Sequence, residues 1–154
     1  MIGWATFVQV RKEFWDRRVQ DLCAKEGGIT IYETVTLRDR RYLDRDLNVR
    51  IPPILERATG YGPMDFEAKP DDIFFRTSTL TILREDRPRV AKSDVLVFRT
   101  SDKKVLGRAT TFGRVGADLL AIDFESRLTC PDGASESDLF KRLFVIQLEP
   151  DEKP

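Results

Sequence analysis

The sequence predicts an α+β fold: an N-terminal helix packed on one face of an antiparallel sheet of four or five strands, in a single domain of 1–154. Three observations predict it. An apolar period of three and four runs through residues 5–26 and stops at a glycine pair. Three runs rich in β-branched residues follow one another between 73 and 116, with gaps too short for a crossover. At 154 residues, 41% of them hydrophobic, the chain can build its own core without metal staples.

The helix is expected over 5–26. Phe7, Val10, Phe14 and Leu22 recur along one row, with Trp15, Val19, Leu22 and Cys23 beside them. Charged Lys12, Glu13, Asp16, Arg17, Asp21 and Lys25 take other positions, and Gly27-Gly28 supplies the stop. The aromatic stripe Phe7/Phe14/Trp15 reads as core packing in preference to a ligand groove. A strand is expected over 29–37, with Ile29, Ile31, Val35 and Leu37 on one face. Glu33 falls in that apolar row, which predicts an arginine partner in preference to an acid of raised pKa.

Residues 38–72 read as an irregular excursion, with a short strand at 47–51 and a turn at 60–63. Arg38, Arg40, Arg41 and Arg45 cluster at its start and are candidate contacts for an anion or a partner. Asp39, Asp44 and Asp46 interleave with them, so a local ion-pair network is the favoured expectation. The runs 73–84, 89–101 and 105–116 are expected as a continuous antiparallel meander with turns near Arg87 and Lys103. Gly107 and Gly113 suggest a bulge or a close backbone approach. Residues 119–130 read as a further strand or a covering segment. Ser135 to Asp138 form a capping signature before 139–148, a short helix or strand, and 149–154 read as a frayed tail.

Composition narrows the chemistry. The 26 basic and 26 acidic residues cancel, which gives no signal for nucleic acid. No apolar run is long enough for a transmembrane segment. The start lacks a basic n-region and a small-residue cleavage site, so read literally it predicts a cytoplasmic protein. With no histidine in the chain, a Ser–His–Asp triad and a Cys–His pair are excluded. No phosphate loop and no tetrahedral zinc pattern is present, and no cofactor is expected. Asp71-Asp72 and Asp123 with Glu125 offer oxygens for Mg²⁺ or Ca²⁺, but among so many acids such pairs arise by chance.

Cys23 on the apolar helix row suits a reduced core thiol, but Cys130 sits before Pro131 in a turn. Their separation does not suit a reactive redox pair. A structural disulfide between Cys23 and Cys130 is the favoured expectation, and it implies an oxidising compartment.

Several stretches resemble a family of small, uncharacterised bacterial proteins. They are Phe14-Trp15-Asp16-Arg17-Arg18, Leu22-Cys23-Ala24-Lys25-Glu26-Gly27-Gly28, Ile31-Tyr32-Glu33-Thr34-Val35 and Ser101-Asp102-Lys103-Lys104-Val105-Leu106-Gly107, with Arg114-Val115-Gly116-Ala117-Asp118 and Cys130-Pro131. The resemblance covers most of 14–145 outside the loop 44–72. An export or lipoprotein-type leader usually precedes the first helix in that family, which implies export. The stretch before Phe14 departs from this pattern, so either the start is shortened or this member is not exported.

The expected function is a non-enzymatic, exported or periplasmic binding or accessory module whose partner is a protein or a small ligand. A cytoplasmic immunity or antitoxin-like protein is the first alternative, and a carboxylate metal-dependent hydrolase the second.

Overall fold

Three long strands dominate the computed structural model, which describes residues 2–38, 40–43, 54–58, 73–116 and 126–148. They are β4 (Phe74–Arg84), β5 (Arg89–Arg99) and β6 (Val105–Val115). Their connections are short, so each pairs antiparallel with the next, with Thr77 opposite Leu96 and Val95 opposite Ala109. The expected meander is therefore present, and the molecule is an α+β domain. Before it come α1 (Ile2–Glu26), β1 (Gly28–Ile31), β2 (Val35–Leu37), a 3-10 turn (Arg40–Tyr42) and β3 (Ile54–Ala58). After it come β7 (Arg127–Cys130), α2 (Glu136–Leu143) and β8 (Phe144–Ile146).

The sheet is larger and less uniform than expected. Among the described residues it has six strands, with β1 and β7 pairing antiparallel to successive lengths of β6. At the other edge β3 pairs parallel to β4. The expected strand over 29–37 is two strands in two sheets. β1 stays on β6, whereas β2 leaves the main sheet and pairs parallel with β8. The break falls at Tyr32 and Glu33, whose N–H groups both donate to the Leu106 carbonyl, at 2.9 and 3.1 Å. The expected strand at 47–51, the turn at 60–63, the segment 119–125 and the tail 149–154 lie outside the described residues.

The two helices cover opposite faces of the sheet. On β5, Val90 packs with α1 residues Val19 and Cys23, whereas Val95 and Val97 pack with Leu139, Phe140 and Leu143 of α2. Successive side chains of a strand point to opposite faces, so even and odd positions serve different cores. Beneath α1 lie Val19, Cys23, Val90 and Phe112, flanked by Trp15 and Leu128. The α2 core takes in Leu37 and Phe144 from the small sheet. Each side chain buried this fully is worth about 1.5–3 kcal/mol.

Packing of the aromatic stripe on α1 is only partly realised. Trp15 joins the core, but Phe7 and Phe14 are 63% and 60% exposed, and Val10 is also exposed. The single periodic row is split by the helix's width: one flank meets the sheet, and the other does not.

Two local devices fix the helix ends. Gly27 donates its N–H to the Cys23 carbonyl, and Gly28 has φ of +122°, a conformation that side chains disfavour. A Cβ on Gly27 would sit 2.7 Å from both the Cys23 carbonyl oxygen and Pro131 Cδ. Glycine is thus what lets the turn after β7 approach the end of α1. Gly107 meets the expectation of a close approach: a Cβ there would stand 3.0 Å from Leu139 Cδ1, and the β5–β6 register shifts beside it. Gly113 pairs in register with Ala91 and marks no bulge.

The N-terminus of α2 carries a capping box: Ser135 Oγ accepts from the Asp138 N–H at 3.2 Å, and the Asp138 carboxylate accepts from the Ser135 N–H. Ser135→Ala is expected to cost about 1 kcal/mol. Urea denaturation checks this: the midpoint should fall with the slope unchanged.

Candidate functional site

Helix α1 is held on its face of the sheet by a covalent link and a buried ion pair. Cys23 at the last turn of α1 is bonded to Cys130 at the end of β7, with Cα atoms 5.9 Å apart. Cys130 is brought there because β7 pairs it with Phe112, the residue beneath the helix. Farther along, Arg114 is only 2% exposed. Its Nε donates to Asp16 of α1 at 2.5 Å, and its Nη1 donates to the Gly116 carbonyl and to Ser126 Oγ. The guanidinium is thus satisfied on several sides, as a buried cation must be.

On the same face, Asp94 accepts from Thr110 at 2.6 Å and from Arg108 at 2.9 and 2.5 Å. Burial pushes its carboxyl up, but the Thr110 and Arg108 hydrogen bonds and the nearby cations outweigh this and leave it below the usual value. Lys92 joins this network and donates to Glu26 at 2.8 Å. These charges are mutually neutralised and read as architecture.

The rim where the two sheets separate is different. Glu33 accepts from Lys104 at 2.7 Å and from Arg99, the cationic partnership expected for it. The Lys104 hydrogen bond and the Arg99 charge hold the Glu33 carboxyl below its ordinary range. Arg99 also pairs with Asp102 at 2.8 Å, and Asp102 accepts from the Lys104 N–H, which locks the β5–β6 turn. Beside this node opens a cleft of about 490 Å³. Residues 33–38 line it along β2, and Tyr42, Ile73, Phe74 and Arg99 complete its walls. Its chemistry is mixed: an aromatic and aliphatic surface from Tyr42, Ile73 and Phe74, threonine hydroxyls at 34 and 36, and cationic groups at 38 and 99.

Among the described residues, Arg38 is the arginine singled out by sequence that lines this cleft. It is exposed and has no hydrogen-bond or ion-pair partner among the described residues. Asp39, Asp44 and Asp46, the partners expected for this cluster, lie outside the described residues. Arg40 lies exposed on the 3-10 turn and is already engaged in an interaction. Arg41 shares that turn, its side chain outside the described residues, and Arg45 lies outside them altogether. So do the carboxylate pairs Asp71-Asp72 and Asp123/Glu125. Among the described residues, no group of three acids or cysteines is placed to hold a metal ion. No helix among them is long and apolar enough to cross a membrane.

Sequence reasoning missed Thr34, Thr36, Tyr42, Phe74 and Arg99 as cleft residues. No local signal marks them, because they meet only through the departure of β2 from the main sheet.

The architecture is an α+β domain with a helix on each sheet face and a cleft on one rim. No family model, no curated protein and no solved structure matches the chain.

Charge pairing makes the pH response specific. Glu33, Asp94, Asp102 and Asp138 are all lowered, Asp102 chiefly by the Lys104 N–H and Asp138 chiefly by the Ser135 hydroxyl. A carboxylate with a depressed folded pKa contributes stability above its unfolded value, about 4, and that stability is lost as pH falls through the folded value. With no histidine, no side chain has an ordinary pKa between about 5 and 8. The thermal midpoint is expected to stay level across that window and to drop below about pH 4. A midpoint that already declines between neutrality and about pH 6 would contradict this account.

Proposed function

We propose that this protein is an extracytoplasmic, non-enzymatic binding module that takes its ligand in the cleft along residues 33–38. The observation that carries the proposal is the cleft itself. Its volume is in the range of small-molecule and short-peptide sites, and it joins an apolar wall to a cation unpartnered among the described residues. The described wall residues supply no nucleophile paired with a base; Glu33, the acid among them, is ionised and shared between two cations. Such a carboxylate is a poor general acid or base near neutrality.

The compartment is supported by the Cys23–Cys130 bridge, since structural disulfides persist in oxidising surroundings. The resemblance of residues 14–18, 22–28, 31–35 and 101–107 to a family in which an export leader usually precedes the first helix implies the same compartment.

Two measurements test the proposal. Isotope-labelled protein is titrated with small carboxylates and short peptides and followed by NMR. Shifts should concentrate at 33–38 and 73–74, with the probes recovered intact; shifts elsewhere, or probe turnover, overturn the binding reading. Fractionation of the source cells with thiol trapping then tests the compartment. A cytoplasmic pool with free thiols would replace it by the immunity or antitoxin-like alternative.

A further inference from the structure

We propose that the ligand of this cleft is an extended peptide, which adds as a strand to the open edge of β2 and sets an acidic group against Arg38. The proposal rests on the cleft being the binding site and names what fills it.

The ladder between β2 and β8 is parallel, and Leu37 accepts from the Gln147 N–H at 2.9 Å. In a parallel ladder a residue directs both its backbone groups to one side, and its neighbours direct theirs to the other. Val35 and Leu37 therefore face β8. The N–H and C=O of Thr36 face the opposite edge, where no described strand pairs with β2. Thr36 is exposed and makes no hydrogen bond of its own among the described residues. The cleft follows this segment for all of 33–38, which at about 3.3 Å per residue is the length of an ordinary strand.

Strand addition to an exposed edge draws affinity from the backbone and selectivity from side-chain pockets. Ile73 and Phe74 provide the apolar contact for one ligand side chain. Charge selects the other end. Arg99 is neutralised by Glu33 and Asp102, whereas Arg38 has no counter-ion among the described residues. An acidic side chain or a terminal carboxylate completes it, as guanidinium–carboxylate pairing favours. A second copy of this chain fits less well: its own residues 34–38 bring no carboxylate to Arg38, and Glu33 is engaged.

The test uses a fluorescein-labelled peptide that alternates threonine and valine and ends in aspartate, titrated at moderate salt and followed by fluorescence anisotropy. Three companions are used: one ending in lysine, one N-methylated at alternate amides, and acetyl-aspartate as an unlabelled competitor. The acidic peptide should bind saturably, and the lysine and N-methylated peptides roughly tenfold more weakly. Arg38→Glu should invert the charge preference. Thr36→Pro, which removes the edge-facing N–H and no hydrogen bond to β8, should weaken binding while leaving the fold intact by circular dichroism.

Equal binding of the N-methylated peptide, or full competition by acetyl-aspartate, would show an anion site without strand addition. The peptide proposal would fall, and the cleft would stand. Undiminished binding to an Ile73→Arg variant would remove the cleft as well. Concentration-dependent dimerisation with no peptide binding would assign the edge to a second copy and overturn the proposal, as would no saturable binding at millimolar peptide.

Discussion

Cys23→Ser and Cys130→Ser each lower the unfolding free energy by about 2–5 kcal/mol, and the double mutant is little worse than either. The bond closes a loop of sequence separation 107. Chain entropy assigns a bridge of that span up to about 4–5 kcal/mol, because the unfolded chain loses the freedom to separate its ends. The same loss should appear in the wild-type protein on reduction. For a domain of this size, each kcal/mol shifts the thermal midpoint by about 2–4 °C. Midpoints compared with and without reductant should therefore differ by roughly 10 °C in wild type and not at all in the serine variants. Equal midpoints in both conditions would mean that the native contacts around Cys23 hold α1 without covalent help.

Asp16→Ala is expected to cost about 3 kcal/mol, the lower end for breaking a buried ion pair. The lower end applies because the two partners are unequally buried. Arg114 has a side chain 2% exposed, whereas that of Asp16 is 27% exposed, so water already reaches one member. Loss of Asp16 leaves a guanidinium under the helix with only carbonyl and hydroxyl acceptors. Adding Arg114→Met to Asp16→Ala removes that stranded charge and should recover most of the loss. Guanidinium denaturation of the four members of this cycle measures the coupling directly. If the double variant were the least stable of the four, Arg114 would be holding the sheet through Gly116 and Ser126 more than through the helix.

Much of the fold is legible in the sequence because its signals are local. The period of α1, the glycine stop, the capping box at Ser135 and the alternation in β4, β5 and β6 are each encoded within a few neighbouring residues. The cysteine pair is legible for another reason: a thiol in a proline turn has few roles. The departures are nonlocal. The apolar row of 29–37 is interrupted by Glu33, but a lone acid in such a row reads as a residue in need of a partner, not as the point where β1 and β2 part into different sheets. That break depends on Leu106 accepting two successive N–H groups from Tyr32 and Glu33. The parallel pairing of Val35 with Phe144 is equally silent, since it joins segments far apart in the chain. Arg38 shows the same limit. Its place in the wall of the cleft depends on the course of β2, which nothing in its immediate sequence marks. The exposed Phe7 and Phe14 show that a periodic row records which residues share a helix face, not what covers it.

The pairing of β2 with β8 also sets when the cleft can exist. β8 is the last strand in chain order among the described residues. During synthesis, the chain up to residue 143 lacks the partner that seats β2. The meander, built from near neighbours, can close early; the cleft wall must wait for residues 144–146, because loop closure over long spans is entropically late. The seating of β2 therefore depends on β8, and a chain interrupted ahead of Phe144 emerges without it.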